Sequence, residues 1–306
     1  MNKNIGDKDI SNYFFRDHKL APYSTFQIGG DADYFFEAKS ATDLEDAVAW
    51  ARHNKTPFMV IGGGSNLLFD DEGFRGLVIK LSAAEVFVPE DDAGGTLLVA
   101  DAGAKMAALV KAAADAGLTG IEVWNGIPGT VGGAVVGNAG CFGVEVASVL
   151  EFAQVLIPEE GIQTVDNDFF DYDYRSSRLK NGGPSMGAGM VVRAGFRLRK
   201  GDKAEIKAAM MEVARKRLGK QPAGASTGSF FKNPVDHAAG WLIEQCGLKG
   251  KQIGGAKISD QHANFFINTG GAAATDVLAL ADLAATEVKE KFGIELEREV
   301  QYIPAS

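Results

Sequence analysis

Along this chain the spacing of apolar positions changes from block to block, and each change marks an element. Leu44, Ala47, Val48 and Ala51 recur at i, i+3, i+4 and i+7, which predicts a helix with one buried face; Ser40 and Thr42 stand where they can cap it, and Pro57 ends it. The period then gives way to a continuous apolar run, Met59-Val60-Ile61, expected to be a buried strand. That run passes straight into Gly62-Gly63-Gly64-Ser65-Asn66, after which Leu67-Leu68-Phe69 again reads as strand. Further strands are expected over 77–81 and over 23–28, the latter closing on Gly29-Gly30, so that strand, helix and strand follow in a βαβ-like order.

A second block repeats the theme. A strand over 96–100 turns at Gly103 into an alanine-rich helix that places Leu109, Val110 and Ala113 on one side and stops at Gly117; strands follow at 150–157 and 190–194. Asp202, with Glu205 three residues on, opens a helix striped by Ile206, Met210 and Val213, and Gly201-Asp202 therefore reads as a domain boundary. Beyond it the pattern predicts a helix over 239–246, strands over 256–259 and 264–268, and a helix from about Thr275 burying Val277, Leu280, Ala281, Ala284 and Val288. In the closing stretch 294–303 the even positions are mostly apolar, so a strand there would turn Glu299 to the wet face with Glu295 and Glu297. The expected organisation is an arm over 1–21 around Tyr13-Phe14-Phe15, a domain over 22–200 in two parts (about 22–84 and 85–200), and a domain over 201–306.

Composition narrows the function class. A hydrophobic share of 46% in 306 residues is ample for one large core or two or three smaller ones. With 31 Lys+Arg against 40 Asp+Glu there is no basic field for nucleic acid or an anionic membrane, and a small-molecule protein is favoured. The first residues lack the apolar core of a signal peptide, no run of about 18 apolar residues follows, and Cys141 and Cys246 make no disulfide framework. A cytoplasmic protein without a metal centre is expected.

The candidate chemistry sits in side-chain-poor segments. Glycines at 62, 63 and 64 let a backbone approach an anionic oxygen and offer it N–H groups, which suits a phosphate or dinucleotide; a tight turn between buried strands would use the same residues. Neither common motif fits, since G-x-G-x-x-G from Gly62 meets Leu67 at its last glycine and no Gly-Lys-Ser/Thr is present nearby. Between 126 and 143 there are seven glycines, interleaved with Ile127, Pro128, Val131, Ala134 and Phe142, as in a loop folded against a flat apolar ligand or a closely packed turn. Arg215, Lys216, Arg217 and Lys220 cluster at a helix end, either complementing its dipole or holding a diphosphate. Ser229 and Arg175 alone read equally as a turn residue and a strand-end arginine.

Taken together, these stretches resemble the UDP-N-acetylenolpyruvoylglucosamine reductase family. The matching pieces are 25–30 (Thr-Phe-Gln-Ile-Gly-Gly), 61–68, 126–134, Asn138-Ala139-Gly140, Tyr174-Arg175, 228–234 (Gly-Ser-Phe-Phe-Lys-Asn-Pro) and 296–300 (Leu-Glu-Arg-Glu-Val), in register from about 22 to 303. The resemblance implies an α+β protein, with an FAD-binding fold of two α+β subdomains like that of vanillyl-alcohol oxidase and a C-terminal α+β domain for a UDP-sugar. It further implies bound FAD, NADPH as reductant and UDP-N-acetylglucosamine enolpyruvate as substrate, in the family's shorter form and acting as a monomer. FAD would be held by Gly62, Gly63, Gly64, Ser65, Asn66, Leu67, Ile127, Pro128, Gly129, Thr130, Gly132, Gly133, Asn138 and Gly140. Tyr174, Lys232 and Asn233 would bind substrate. Arg175 would hold the carboxylate where charge develops, Ser229 would give the proton, and Glu299 would organise or protonate the carboxylate end. Cys141 stands where the family commonly has alanine. An alcohol oxidase on the same fold would keep the glycine loops without needing Arg175, Ser229 and Glu299 together; a non-catalytic flavin or UDP-sugar sensor is the other reading.

Overall fold

The computed structural model describes residues 10–90, 92, 94–182, 189–218 and 222–305. The chain divides into two compact units. Of the described residues, the first takes those within 10–16, 34–63 and 76–217, and the second those within 17–33, 64–75 and 218–305. The expected boundary at Gly201-Asp202 is therefore not where the units part. The helix Lys203–Leu218 does begin there, with Asp202 accepting from the N–H groups of Ala204 (2.8 Å) and Glu205 (3.0 Å), but Ile206 and Val213 are buried and the helix belongs almost wholly to the first unit. Two short segments from the N-terminal half, 17–33 and 64–75, group with the C-terminal residues instead.

Each unit mixes helices and sheets, an α+β architecture. In the first, the helix Ala41–His53 is capped by Ser40, whose side chain accepts from Asp43 N–H, and it buries the predicted Leu44, Ala47, Val48 and Ala51. It feeds the strand Phe58–Ile61, which pairs in parallel with Phe74–Leu81. These elements share a core with Phe14, Ala38 and Phe58, so the aromatic island at the N-terminus contributes one buried ring, while Tyr13 and Phe15 are exposed. A second core of the same unit lies against an antiparallel sheet ordered Gly161–Asp166, Leu150–Ile157, Met190–Arg197, Leu97–Asp101, Val86–Phe87. The helix Met106–Ala116 packs there through Leu109, Val110 and Ala113, and Gly117 ends it at φ +70°.

In the second unit the helix Ala274–Phe292 carries Val277, Leu280, Ala281, Ala284 and Val288, all fully buried. Each large side chain on that face contributes about 1.5–3 kcal/mol relative to exposure. Its N-terminus is capped from far along the chain, for the Asp71 carboxylate accepts from Ala274 N–H (2.7 Å) and Thr275 N–H (3.3 Å). The same core takes in Ala239–Gln245, the small sheet Gln252–Ile253, Ala256–Ile258, Phe266–Asn268, and a parallel pair between Leu67–Phe69 and Gln301–Ile303. Two strand expectations are corrected here. Residues 23–30 form no strand: Ser24 Oγ donates to Leu67 C=O and accepts from Phe26 N–H, and Gln27 at φ +57° turns the chain. Likewise only Gln301–Ile303 of the closing stretch is strand.

Among the described residues no helix is long and apolar enough to cross a membrane, and no group of three His, Cys, Asp or Glu side chains could hold a metal ion.

Candidate functional site

The strand Phe58–Ile61 delivers Gly62 and Gly63 against the second glycine-rich stretch, and the fit leaves no room for side chains. A Cβ on Gly62 would lie 2.1 Å from Thr130 Oγ1, and one on Gly63 would lie 2.9 Å from the Cα of Gly129. Both strands of this contact belong to the first unit. The 126–134 stretch is stitched down by Met106 N–H to Gly129 C=O (3.1 Å), Val131 N–H to Ala104 C=O (2.8 Å) and Gly132 N–H to Ala102 C=O (2.8 Å). It contains a short helix, Val131–Val136, whose Val131, Ala134 and Val135 are buried and whose Gly132 sits on Ala102, where a Cβ would meet Ala102 Cβ at 2.8 Å. Gly63, Gly126, Pro128 and Gly133 are exposed and Ile127 half-buried, so this packed base carries an open backbone rim.

The polar atoms at this contact suit an anion. Thr130 is 8% exposed, and its Oγ1 is buried without a hydrogen-bond partner among the described residues. Leaving a buried hydroxyl unpaired is unfavourable, and a phosphate oxygen would satisfy it. None of the hydrogen bonds of the described residues uses the N–H of Gly63, Gly64 or Ser65. Gly64, at φ +59°, belongs to the second unit with Ser65, Asn66 and Leu67; there an added Cβ would strike Tyr23 C=O at 1.7 Å, so only glycine fits.

Also in the first unit, Arg175 is drawn to the end of the same stretch. Its backbone is left-handed (φ +55°), its Nη1 donates to Asn138 C=O (3.2 Å) and its Nη2 donates to Gly140 C=O. Glu145 lies 3.8 Å from Nη1, and the guanidinium carbon stands 5.2 Å over the ring of Tyr174, which is 40% exposed. Asn138 is 1% exposed and its side chain is committed internally. Nδ2 donates to Glu145 (3.0 Å) and to Asp173 C=O (3.1 Å), while Oδ1 accepts from Ala147 N–H (3.0 Å). Its share in holding a cofactor would pass through the turn it orders. Gly140 opens the hairpin to Val144 and Glu145, where a Cβ would meet Val144 C=O at 2.6 Å.

Of the basic cluster, Lys216 pairs with Glu212 (2.6 Å), whereas Arg217 reaches the glycine stretch, donating from Nη1 to Gly126 C=O (3.4 Å) and from Nη2 to Cys141 Sγ (3.2 Å). Gly219 and Lys220 lie outside the described residues. Burial pushes the Cys141 thiol up despite Arg217 beside it, and the thiol donates to Val123 C=O (2.9 Å); it is a structural group rather than a thiolate.

In the second unit the backbone at Glu299 lies against Phe230, the residue after Ser229. Ser229 is half-buried and bridges Phe265, and its hydroxyl has no hydrogen bond among the described residues. Phe230 N–H donates to Asn264 C=O (2.8 Å), and Phe230 C=O accepts from Glu299 N–H (2.8 Å). Glu299 is half-buried while Glu295 and Glu297 are exposed, so the alternation that put all three on one wet face fails where the strand is absent. Lys232 Nζ pairs with Glu297 (2.6 Å), and Asn233 Oδ1 accepts from Ala239 N–H (3.0 Å) at the start of the helix Ala239–Gln245. Thr227, 7% exposed with a hydroxyl that has no partner among the described residues, was not singled out by the sequence; a threonine in a Ser-Thr-Gly-Ser run carries no distinguishing signal.

Comparison with known proteins matches these regions separately. Residues 32–166 match the FAD binding domain model, and residues 220–303 match the model of the UDP-N-acetylenolpyruvoylglucosamine reductase C-terminal domain. A UDP-N-acetylenolpyruvoylglucosamine reductase of Chloroflexus aurantiacus is 42% identical over 291 residues, covering 94% of this chain and 97% of that protein. One from Caldanaerobacter subterraneus is 41% identical, covering 92% of this chain and 90% of that protein. The crystal structure of the reductase from Thermus caldophilus superposes with a TM-score of 0.78 at 37% identity, covering 95% of this chain and 99% of that one.

Proposed function

The chain belongs to the UDP-N-acetylenolpyruvoylglucosamine reductase family, and from that membership we propose that it reduces the enolpyruvyl group of UDP-N-acetylglucosamine enolpyruvate to the lactyl ether of UDP-N-acetylmuramate, using NADPH and FAD. The observation that carries the cofactor assignment is the contact of Gly62 and Gly63 with Gly129 and Thr130, at which the Thr130 hydroxyl is buried and unpaired. Gly62 to Ser65, Leu67 and Ile127 to Gly133 would hold the pyrophosphate and flank the ring, with Asn138 and Gly140 keeping the adjoining turn in shape. FAD held there would supply the two-electron chemistry that links NADPH to the enolpyruvyl group, whose methylene carbon is the hydride acceptor.

The chain's own residues handle charge and the proton. Addition of hydride leaves negative charge on the neighbouring carbon and its carboxylate. Arg175, always charged and forked, is the group for that carboxylate; its hold on Asn138 and Gly140 fixes where the fork stands. The Ser229 hydroxyl, not committed elsewhere, protonates the carbon, and Glu299 steadies the carboxylate end. Tyr174, Lys232 and Asn233 are proposed to contact the sugar nucleotide. A cytoplasmic monomer is part of the same proposal. An alcohol oxidase would have no use for a serine, a glutamate and an arginine kept for a developing enolate.

Thr130→Val tests the cradle. The swap keeps shape and removes a hydroxyl that has no partner in the protein, so the FAD-free protein should melt at or above the wild-type temperature. FAD should nonetheless bind about ten- to a hundredfold more weakly, the worth of a hydrogen bond to a charged group. Fluorescence titration with FAD measures this, and unchanged affinity would remove Thr130 from the site.

A further inference from the structure

Asn66 follows the glycines and shares their candidate role, yet its side chain is engaged elsewhere. Nδ2 donates to the C=O of Glu299 (2.9 Å), and the backbone C=O of Asn66 accepts from the N–H of Gln301 (3.0 Å). One residue thus brackets Val300, which is 5% exposed in the core of the second unit. The N–H of Glu299 donates to Phe230 C=O (2.8 Å), next to Ser229. Phe230 is held in turn by Asn264 C=O and by stacking on Phe266 with centroids 4.6 Å apart. Both backbone polar groups of Glu299 are therefore tied, one to the neighbour of the proposed proton donor and one to Asn66.

We propose that Asn66 is a positioning residue for the protonation step, its amide setting the place of Glu299 against Ser229, rather than a side-chain contact for the dinucleotide. The proposal rests on the functional reading above. The need for it is local: regular pairing with Leu67–Phe69 begins only at Gln301, so at Glu299 no strand ladder holds that edge and the asparagine amide substitutes for one. An amide is required because it donates to a carbonyl, which a carboxylate of the same shape does not. Displacement of a reacting group by even about 1 Å lowers rate by as much as a hundredfold, so a loosened Glu299 should be felt in catalysis before it is felt in folding.

The test separates the two half-reactions in Asn66→Ala and Asn66→Asp, the second keeping the shape and losing the donor in case the first fails to fold. Flavin content and the rate at which NADPH bleaches the flavin should stay within about threefold of wild type. Reoxidation by UDP-N-acetylglucosamine enolpyruvate should slow about ten- to a hundredfold, in kcat rather than KM, with a larger solvent deuterium isotope effect as proton donation becomes limiting. Loss of FAD, an equal loss in both half-reactions, or wild-type rates in both would overturn the role of Asn66. A wild-type protein that NADPH bleaches but the sugar nucleotide does not reoxidise would overturn the functional reading and the Asn66 role together.

Discussion

Replacing Ser229 by alanine is expected to leave the flavin fully reducible by NADPH while product formation falls by about 10²–10⁴-fold, the usual contribution of a positioned general acid. The two halves should come apart because, in the proposed role, the hydroxyl takes part only after hydride has reached the substrate. The site gives a clean substitution. Ser229 stands opposite Phe265 in an isolated β-bridge and its hydroxyl makes no hydrogen bond among the described residues, so alanine would remove the proposed proton source without freeing a structural partner. Rapid-mixing absorbance at the flavin band follows both steps in one preparation. Normal turnover in Ser229→Ala would reject the proton-donor assignment, and slow bleaching by NADPH would mean that the residue serves an earlier step.

Gly63→Ala is expected to weaken FAD binding about ten- to a hundredfold, and Gly63→Val to yield colourless protein. The added methyl lies 2.9 Å from the Cα of Gly129 and 3.3 Å from its carbonyl carbon, both backbone atoms that no rotamer change can move aside. The two segments must separate, and overpacking of this kind costs about 1–3 kcal/mol. Gly63 is not among the glycines at positive φ, so alanine introduces no dihedral strain and the effect isolates the close approach. Equilibrium dialysis with FAD reads the outcome; retained affinity in the valine variant would show that the contact can open without harm to the cofactor.

How much of this was legible in the sequence depends on how local each cause is. The helices Ala41–His53 and Ala274–Phe292 were readable because their apolar stripes and the Ser40 cap lie within a few residues. The helix Val131–Val136 was not: two glycines in six residues argue against helix, and it forms because Gly132 can press on Ala102 while its valines fill the core. Glu299 was misplaced by a correct rule applied to an absent strand, since the chain there is fixed by Phe230 and by Asn66, 233 residues away. The grouping of 17–33 and 64–75 with the C-terminal residues has the same origin, in contacts such as Asp71 capping a helix 203 residues on. The glycine stretches announced a close approach; that Gly62 and Gly63 meet Thr130 and Gly129 is set by the tertiary fold, which no local pattern encodes.

On the proposed function these two glycine stretches hold an FAD that turns over against a sugar nucleotide. The direct measurement is the visible spectrum of the purified protein, followed by NADPH oxidation with and without UDP-N-acetylglucosamine enolpyruvate. A flavin spectrum with FAD bound at about one per chain is expected, with steady NADPH consumption only when the enolpyruvyl nucleotide is present. Colourless protein that takes up no added FAD would contradict it.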